Sequence, residues 1–131
     1  MTHHRDTTTW TPDDLARIGD ADEVQITTAS GDGTLRAWVP IWVVRVGDEV
    51  YVRSYRGVGG AWYRHASTEL EGRIRAGGVE RAVTFDRAAD TTTAGINDAY
   101  RAKYARYGDT YLRPMLTADA VAATLRLHPQ T

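Results

Sequence analysis

The chain has 131 residues, enough for one domain with a buried core and too few for two. Its formal charge of −1 argues against a dedicated nucleic-acid binder, and the absence of cysteine excludes disulfides and thiolate chemistry. No apolar run approaches the roughly 20 residues needed to cross a bilayer, and the start MTHHRDTTTW lacks the apolar segment of a secretory signal. The expectation is a cytoplasmic protein with no membrane partner.

Charge is unevenly spread. Residues 1–35 hold two arginines against seven carboxylates, a net −5, whereas residues 36–81 hold eight arginines against five carboxylates, a net +3. The remainder carries +1, and Lys103 is the single lysine in the chain.

In chain order, residues 1–10 read as a polar, frayed tail ahead of a domain spanning 11–131. Thr11-Pro12-Asp13-Asp14 is a helix start, with an N-cap hydroxyl, proline at the first helical position and acids where the helix dipole favours them. Leu15 and Ile18 give that helix its apolar side, and Gly19 ends it. Glu23–Thr28 follows as a strand with Val24 and Ile26 on one face. The turn Ser30-Gly31-Asp32-Gly33-Thr34 leads to Leu35–Val46, one long strand expected to bend or bulge at Pro40, which cannot donate to a ladder. Gly47-Asp48-Glu49 closes a hairpin back through Val50 and Val52 to Arg53.

A glycine-rich loop over residues 57–60 then opens a short helix, Ala61–Glu69. Gly72–Arg75 and Val79–Asp86 form a second hairpin around Ala76-Gly77-Gly78. Ala88–Ala94 reads as a threonine-rich loop, and Ile96–Tyr107 as a helix with an aromatic face. Leu112-Arg113-Pro114 interrupts it, Thr117-Ala118-Asp119 caps a last short helix, and Thr124–His128 is a final strand. Five to six antiparallel strands with two to three peripheral helices predict a mainly β, α+β barrel.

Two constellations carry possible chemistry. Arg53, Ser54 and Arg56, with the amides around Gly57, Gly59 and Gly60, could cradle a phosphate at the amino end of the 61–69 helix, with Trp62 or Tyr63 bordering a planar ring. Equally, Arg53 could pair with a carboxylate, the glycines punctuate a loop and Trp62 fill the core. Tyr100, Tyr104, Tyr107 and Tyr111 fall near one helix face beside Lys103, either as an acid–base set or as a packing stripe. His65 lies beside the first constellation as a candidate proton donor. No metal-ligand spacing is present, and Ser54 sits in no nucleophile elbow.

The order Gly33-x-x-Arg36, Val39-Pro40-Ile41-Trp42, Arg53-Ser54-Tyr55-Arg56-Gly57 and Ala61-Trp62-Tyr63-Arg64 resembles the deazaflavin-dependent nitroreductase-like branch of the FMN-binding split-barrel superfamily. Further segments, including Gly72-Arg73-Ile74, Ala76-Gly77-Gly78-Val79 and Ala99-Tyr100-Arg101-x-Lys103-Tyr104, look like a small bacterial family of unassigned function within it. The resemblance implies a split β-barrel, a homodimer and a flavin or deazaflavin, FMN or F420, held where two subunits meet. Carried over by position, it assigns Arg36, Arg53, Ser54, Arg56, Gly57, Gly59 and Gly60 to the cofactor phosphate, and Trp62, Tyr63 and Arg64 to the helix start beside the ring.

Three functions stay open on this reading. One is hydride transfer between such a cofactor and a small organic substrate. Another is a cofactor-free acid–base enzyme using His65, Tyr100, Lys103 or Tyr104. The last is a non-catalytic small-molecule binding protein.

Overall fold

The computed structural model describes residues 9–130; His3, His4 and most of the expected tail lie outside the described residues. Trp10, placed in that tail by its polar surroundings, instead packs into the core, and its indole N–H donates to the Leu127 carbonyl at 3.0 Å. Helix α1 (Pro12–Asp20) starts as its capping chemistry dictates, Thr11 Oγ1 accepting from the Asp14 N–H at 3.1 Å. Asp14, itself buried, then holds Arg81 through two bonds of 3.1 and 2.9 Å and ties the helix to the sheet.

Seven strands follow: β1 (Val24–Thr27), β2 (Val39–Ile41), β3 (Val43–Val46), β4 (Glu49–Arg53), β5 (Glu71–Ala76), β6 (Val79–Arg87) and β7 (Thr124–Pro129). All pair antiparallel in the order β2-β1-β5-β6-β7-β4-β3. The two outermost strands are consecutive in sequence. What reads as one strand over Leu35–Val46 breaks at Trp42, so that Val39–Ile41 pairs with β1 and Val43–Val46 with β4. One segment thus serves both ends of the sheet and nearly closes it into a barrel. Pro40 is not the break; it sits inside β2, an edge strand where a missing donor is tolerated. This division raises the strand count among the described residues to seven from the five or six expected.

The hairpins are set by local turn chemistry. Gly47 (φ +61°) begins the two-residue β3–β4 turn, and Gly77 and Gly78 (φ +57° and +84°) form the β5–β6 turn, which β-carbons would oppose.

Helix α2 (Ala61–Glu69) packs on β1, β5 and β6, and α3 (Thr93–Tyr104) on β3. The threonine-rich stretch is not all loop: a 3-10 turn at Asp90–Thr92 leads straight into α3. Pro114 and the Thr117 cap divide the remaining helical chain into α4 (Asp109–Leu112), a 3-10 turn at Arg113–Leu116 and α5 (Ala118–Ala122), giving five helices among the described residues where two or three were expected.

The core has two compartments. Val43, Val50, Val52, Ile26, Val83 and Leu127 fill the barrel, while Val44, Tyr51, Ile96, Tyr100, Tyr104 and Met115 fill the space between its outer face and α3. Strands β3 and β4 are therefore buried on both sides, and each fully buried aliphatic side chain contributes about 1.5–3 kcal/mol to holding them there. No helix among the described residues is long and apolar enough to cross a membrane.

Candidate functional site

The end of β4 divides the chemistry. Successive strand residues face opposite sides, so Arg53, the last residue of β4, falls on the side of Tyr51, and Ser54 follows just beyond the strand. Arg53 turns outward under α3 and α5, where Nε donates to Thr124 Oγ1 at 2.8 Å and Nη1 to Asn97 Oδ1 at 2.7 Å and the Met115 carbonyl at 2.9 Å. Its guanidinium lies 5.1 Å from the Tyr100 ring centre. Ser54 instead faces the glycine loop, with Oγ 2.5 Å from where a Cβ on Gly60 would stand.

That loop is a 3-10 turn, Gly57–Gly59, with the Gly57 N–H bonded to the Ser54 carbonyl and the Gly60 N–H to the Gly57 carbonyl. Gly60 is the N-cap of α2 and offers no side chain to the first-turn amides. The positive end of the helix dipole therefore opens beside the loop without an acceptor from a cap. Arg56 and Arg64 are both exposed here. Arg56 Nε donates to the Tyr55 hydroxyl at 3.2 Å, and none of the described ion pairs involves either arginine. Trp62 is half-buried at the helix start and meets Tyr63 edge-on, the ring centres 6.1 Å apart.

The residues assigned from sequence to a cofactor, its phosphate or its ring, thus separate. Ser54, Arg56, Gly57, Gly59, Gly60, Trp62 and Arg64 share one place. Tyr63 is packed in the barrel core, and Arg53 faces away. Arg36 donates to Thr28 Oγ1 and the Ala29 carbonyl and lies 3.8 Å from Glu69, at the far end of α2. Eight helical rises put that end about 12 Å from Ala61.

The tyrosine face divides as well. Tyr107 and Tyr111 are exposed, and Tyr100 and Tyr104 are fully buried. The Tyr104 hydroxyl accepts from the Val43 N–H at 3.0 Å and donates to the Asp22 carbonyl at 2.7 Å, while Lys103 Nζ donates to the Val43 carbonyl at 2.8 Å. Trp42 stacks on Tyr104 with ring centres 3.9 Å apart. These groups serve the backbone where the β2–β3 strand breaks, and burial pushes both phenols above their ordinary range. His65 is on α2, on a different part of the barrel, half-buried and three residues from Trp62.

Burial draws the Lys103 ammonium down to about 8, from 10.5 for the free side chain, the carboxylates of Asp22 and Asp20 opposing this. Between pH 8 and 10 the unfolded chain therefore holds a proton that the folded chain has released, so stability rises with pH in that window. Above pH 10 the raised phenols reverse the sign, because the unfolded chain then loses protons first. Urea midpoints at about pH 7.5 and 9.5 check this: Lys103→Met should abolish the rise, and a rise of unchanged size would refute its origin.

A cavity of about 300 Å³ adjoins Arg53, lined also by Arg87, Asp90, Thr93, Ile96, Leu116, Val121 and Thr124. Sequence reasoning missed it, because its walls come from segments that meet only in three dimensions. Strand alternation along β4 was the available clue, since it puts Arg53 on the side of Tyr51 and not of Val52. Among the described residues no group of three or more His, Asp or Glu side chains is placed to hold a metal.

A family model described as an uncharacterised protein conserved in bacteria, DUF2255, matches residues 14–127. The chain belongs to the DUF2255 family. The matched span takes in the glycine loop, α2 and the Arg53 cavity alike. No curated protein matches the sequence. Among solved structures, the FAD and heme binding protein from Mycobacterium smegmatis is 20% identical, with 95% of this chain and 68% of that one covered at a TM-score of 0.56. An F420 reductase is 12% identical, with 88% and 90% covered at 0.52. HutZ, the heme storage protein from Vibrio cholerae, is 10% identical, with 87% and 85% covered at 0.57. At these identities this DUF2255 protein shares their fold, and with it the split-barrel character that its sequence resembles.

Proposed function

We propose that this protein binds a phosphate-bearing flavin or deazaflavin, FMN or F420, at the amino end of α2 and transfers a hydride to or from a small organic substrate, acting as a homodimer. The observation that carries the reading is the uncapped start of α2 beside Gly57–Gly60, with Arg56 and Arg64 exposed next to it. Amides, helix dipole and two cations together are a chemically suitable phosphate cradle. Solved structures of similar fold named for FAD and F420 support the choice of cofactor class. When bound, such a cofactor supplies the hydride chemistry.

The chain's own residues do the rest. Arg56 and Arg64 hold the phosphate charge, the first-turn amides of α2 orient it, and Trp62 borders the ring. His65, three residues beyond Trp62, shares its side of the helix and is placed to hold a proton there. Tyr55, just before the loop, and Val58, within it, are each 58% exposed and would be covered by a second copy of the chain.

The test is titration of the purified protein with FMN, F420 and heme, read by absorbance and by melting temperature. FMN or F420 should raise the melting temperature at about 100 μM, and Arg56→Ala with Arg64→Ala should weaken binding about tenfold or more. Silence with both would sink the proposal, and saturable binding of heme alone would replace it with a storage or carrier role. His65→Ala should bind cofactor normally and lose turnover.

A further inference from the structure

Arg53 is 2% exposed, yet it is involved in none of the ion pairs among the described residues. Its three hydrogen bonds go to neutral acceptors through Nε and Nη1, and Nη2 is buried without a partner. Burial lowers the pKa of this group from its ordinary value, but a guanidinium remains charged in proteins. A buried charge lacking its counter-ion is costly, and an unmade hydrogen bond adds to that cost. The Tyr100 ring, 5.1 Å from the guanidinium, offsets part of that cost, and no carboxylate among the described residues pairs with Arg53 to offset the rest. Thr124 fixes its geometry: Oγ1 accepts from Arg53 Nε while donating to the Val121 carbonyl at 2.8 Å.

The adjoining cavity says which anion would pair with Arg53. Its charged lining is Arg53, Arg87 and Asp90, a net of one positive charge, which a monoanion neutralises, whereas a second negative charge would be left without a counter-charge. Thr93 opens the twelve-residue helix α3, so the positive end of a helix dipole also borders the space. Ile96, Leu116, Val121, Ala88, Ala118 and Ala122 make the remaining wall apolar. A head group with one charge and a short hydrocarbon body fits this combination, and about 300 Å³ is at the small end of ligand pockets.

We propose that the cavity between the end of β4, the start of α3 and α5 binds a small aliphatic monocarboxylate, its carboxylate on Arg53 and its hydrocarbon against Ile96, Leu116 and Val121. The site is separate from the α2 phosphate cradle, because the Arg53 side chain is bonded to Thr124, Asn97 and Met115 while Ser54, just past the end of β4, turns its Oγ to the glycine loop, and it stands whether or not a cofactor binds.

The experiment is calorimetric titration of the full chain, without added cofactor and at fixed ionic strength, with butyrate, butyramide and inorganic phosphate. Butyrate should bind saturably below about 10 mM, with butyramide and phosphate at least about tenfold weaker. Arg87→Gln, at an exposed position, should weaken butyrate about threefold to tenfold, and Val121→Phe, which fills the cavity, should abolish binding. Arg56→Ala should leave butyrate affinity unchanged while weakening the cofactor, so the two proposals fail separately. No butyrate binding by the folded chain, phosphate preferred to butyrate, affinity unchanged in both Arg87→Gln and Val121→Phe, or loss in Arg56→Ala would each overturn the assignment.

Discussion

Tyr104→Ala is expected to cost about 4 kcal/mol of folding stability, the largest single loss for any residue that the sequence offered as catalytic. The ring is fully buried and stacked on Trp42, so truncation removes a large apolar contact and leaves a void. The hydroxyl adds a second loss. Val43 is where the strand resumes after its break at Trp42, and its N–H has Tyr104 as acceptor at 3.0 Å. Without that oxygen a buried donor is stranded, at a cost of about 1–3 kcal/mol. Tyr104→Phe isolates this part: it keeps the stack and should lose only about 2 kcal/mol. Urea unfolding of the two variants checks the division. Equal losses would mean that the hydroxyl carries the whole effect, and a phenylalanine variant as stable as the parent would show that it carries none.

The same residue illustrates what the sequence could and could not reveal. The helical spacing of Ile96, Tyr100 and Tyr104 is a local pattern, and a buried aromatic face follows from it. What that face meets is not local: Tyr104 bonds residues 61 and 82 positions away. Hairpins and caps were legible because Gly77-Gly78, Thr11-Pro12 and Thr117 act on their immediate neighbours. The break at Trp42 was not, because Val39–Val46 is uniformly strand-like and only the positions of β1 and β4 decide which half pairs with which. Trp10 was lost for a similar reason, since its acceptor is 117 residues distant.

For the candidate site the division is sharper. The glycine loop and the start of α2 are contiguous in sequence, so their chemistry could be read there. Arg53 could be read as a cation but not as a buried one, because Thr124, Asn97 and Met115 come from three later segments. Its proximity in sequence to Ser54 suggested a shared role, but its side chain is bonded to Thr124, Asn97 and Met115 while Ser54 Oγ faces the glycine loop.

Gly60→Ala tests the cradle itself and should weaken FMN or F420 binding by about a hundredfold. The backbone there is no obstacle: Gly60 has φ −63° and ψ 140°, which alanine adopts freely. Space is the obstacle. A β-carbon would stand 2.5 Å from Ser54 Oγ, whereas its other neighbours, Arg56 Cβ and the Gly57 carbonyl, are at an ordinary 3.5 Å. The Ser54 backbone is held by its N–H bond to the Ala123 carbonyl, so relief comes either from turning Oγ within a buried site or from a shift of the loop that carries the first-turn amides of α2 with it. Overpacking of this kind costs about 2 kcal/mol. The clash has one author, the serine oxygen, and removing that oxygen should relieve it. Ser54→Ala combined with Gly60→Ala should therefore recover at least about half of the lost stability, a coupling measurable in a double-mutant cycle. Recovered stability without recovered binding would assign Ser54 Oγ to the phosphate, and recovery of both would leave the amides as its holders. Wild-type stability and binding in Gly60→Ala alone would remove the cradle from the α2 start.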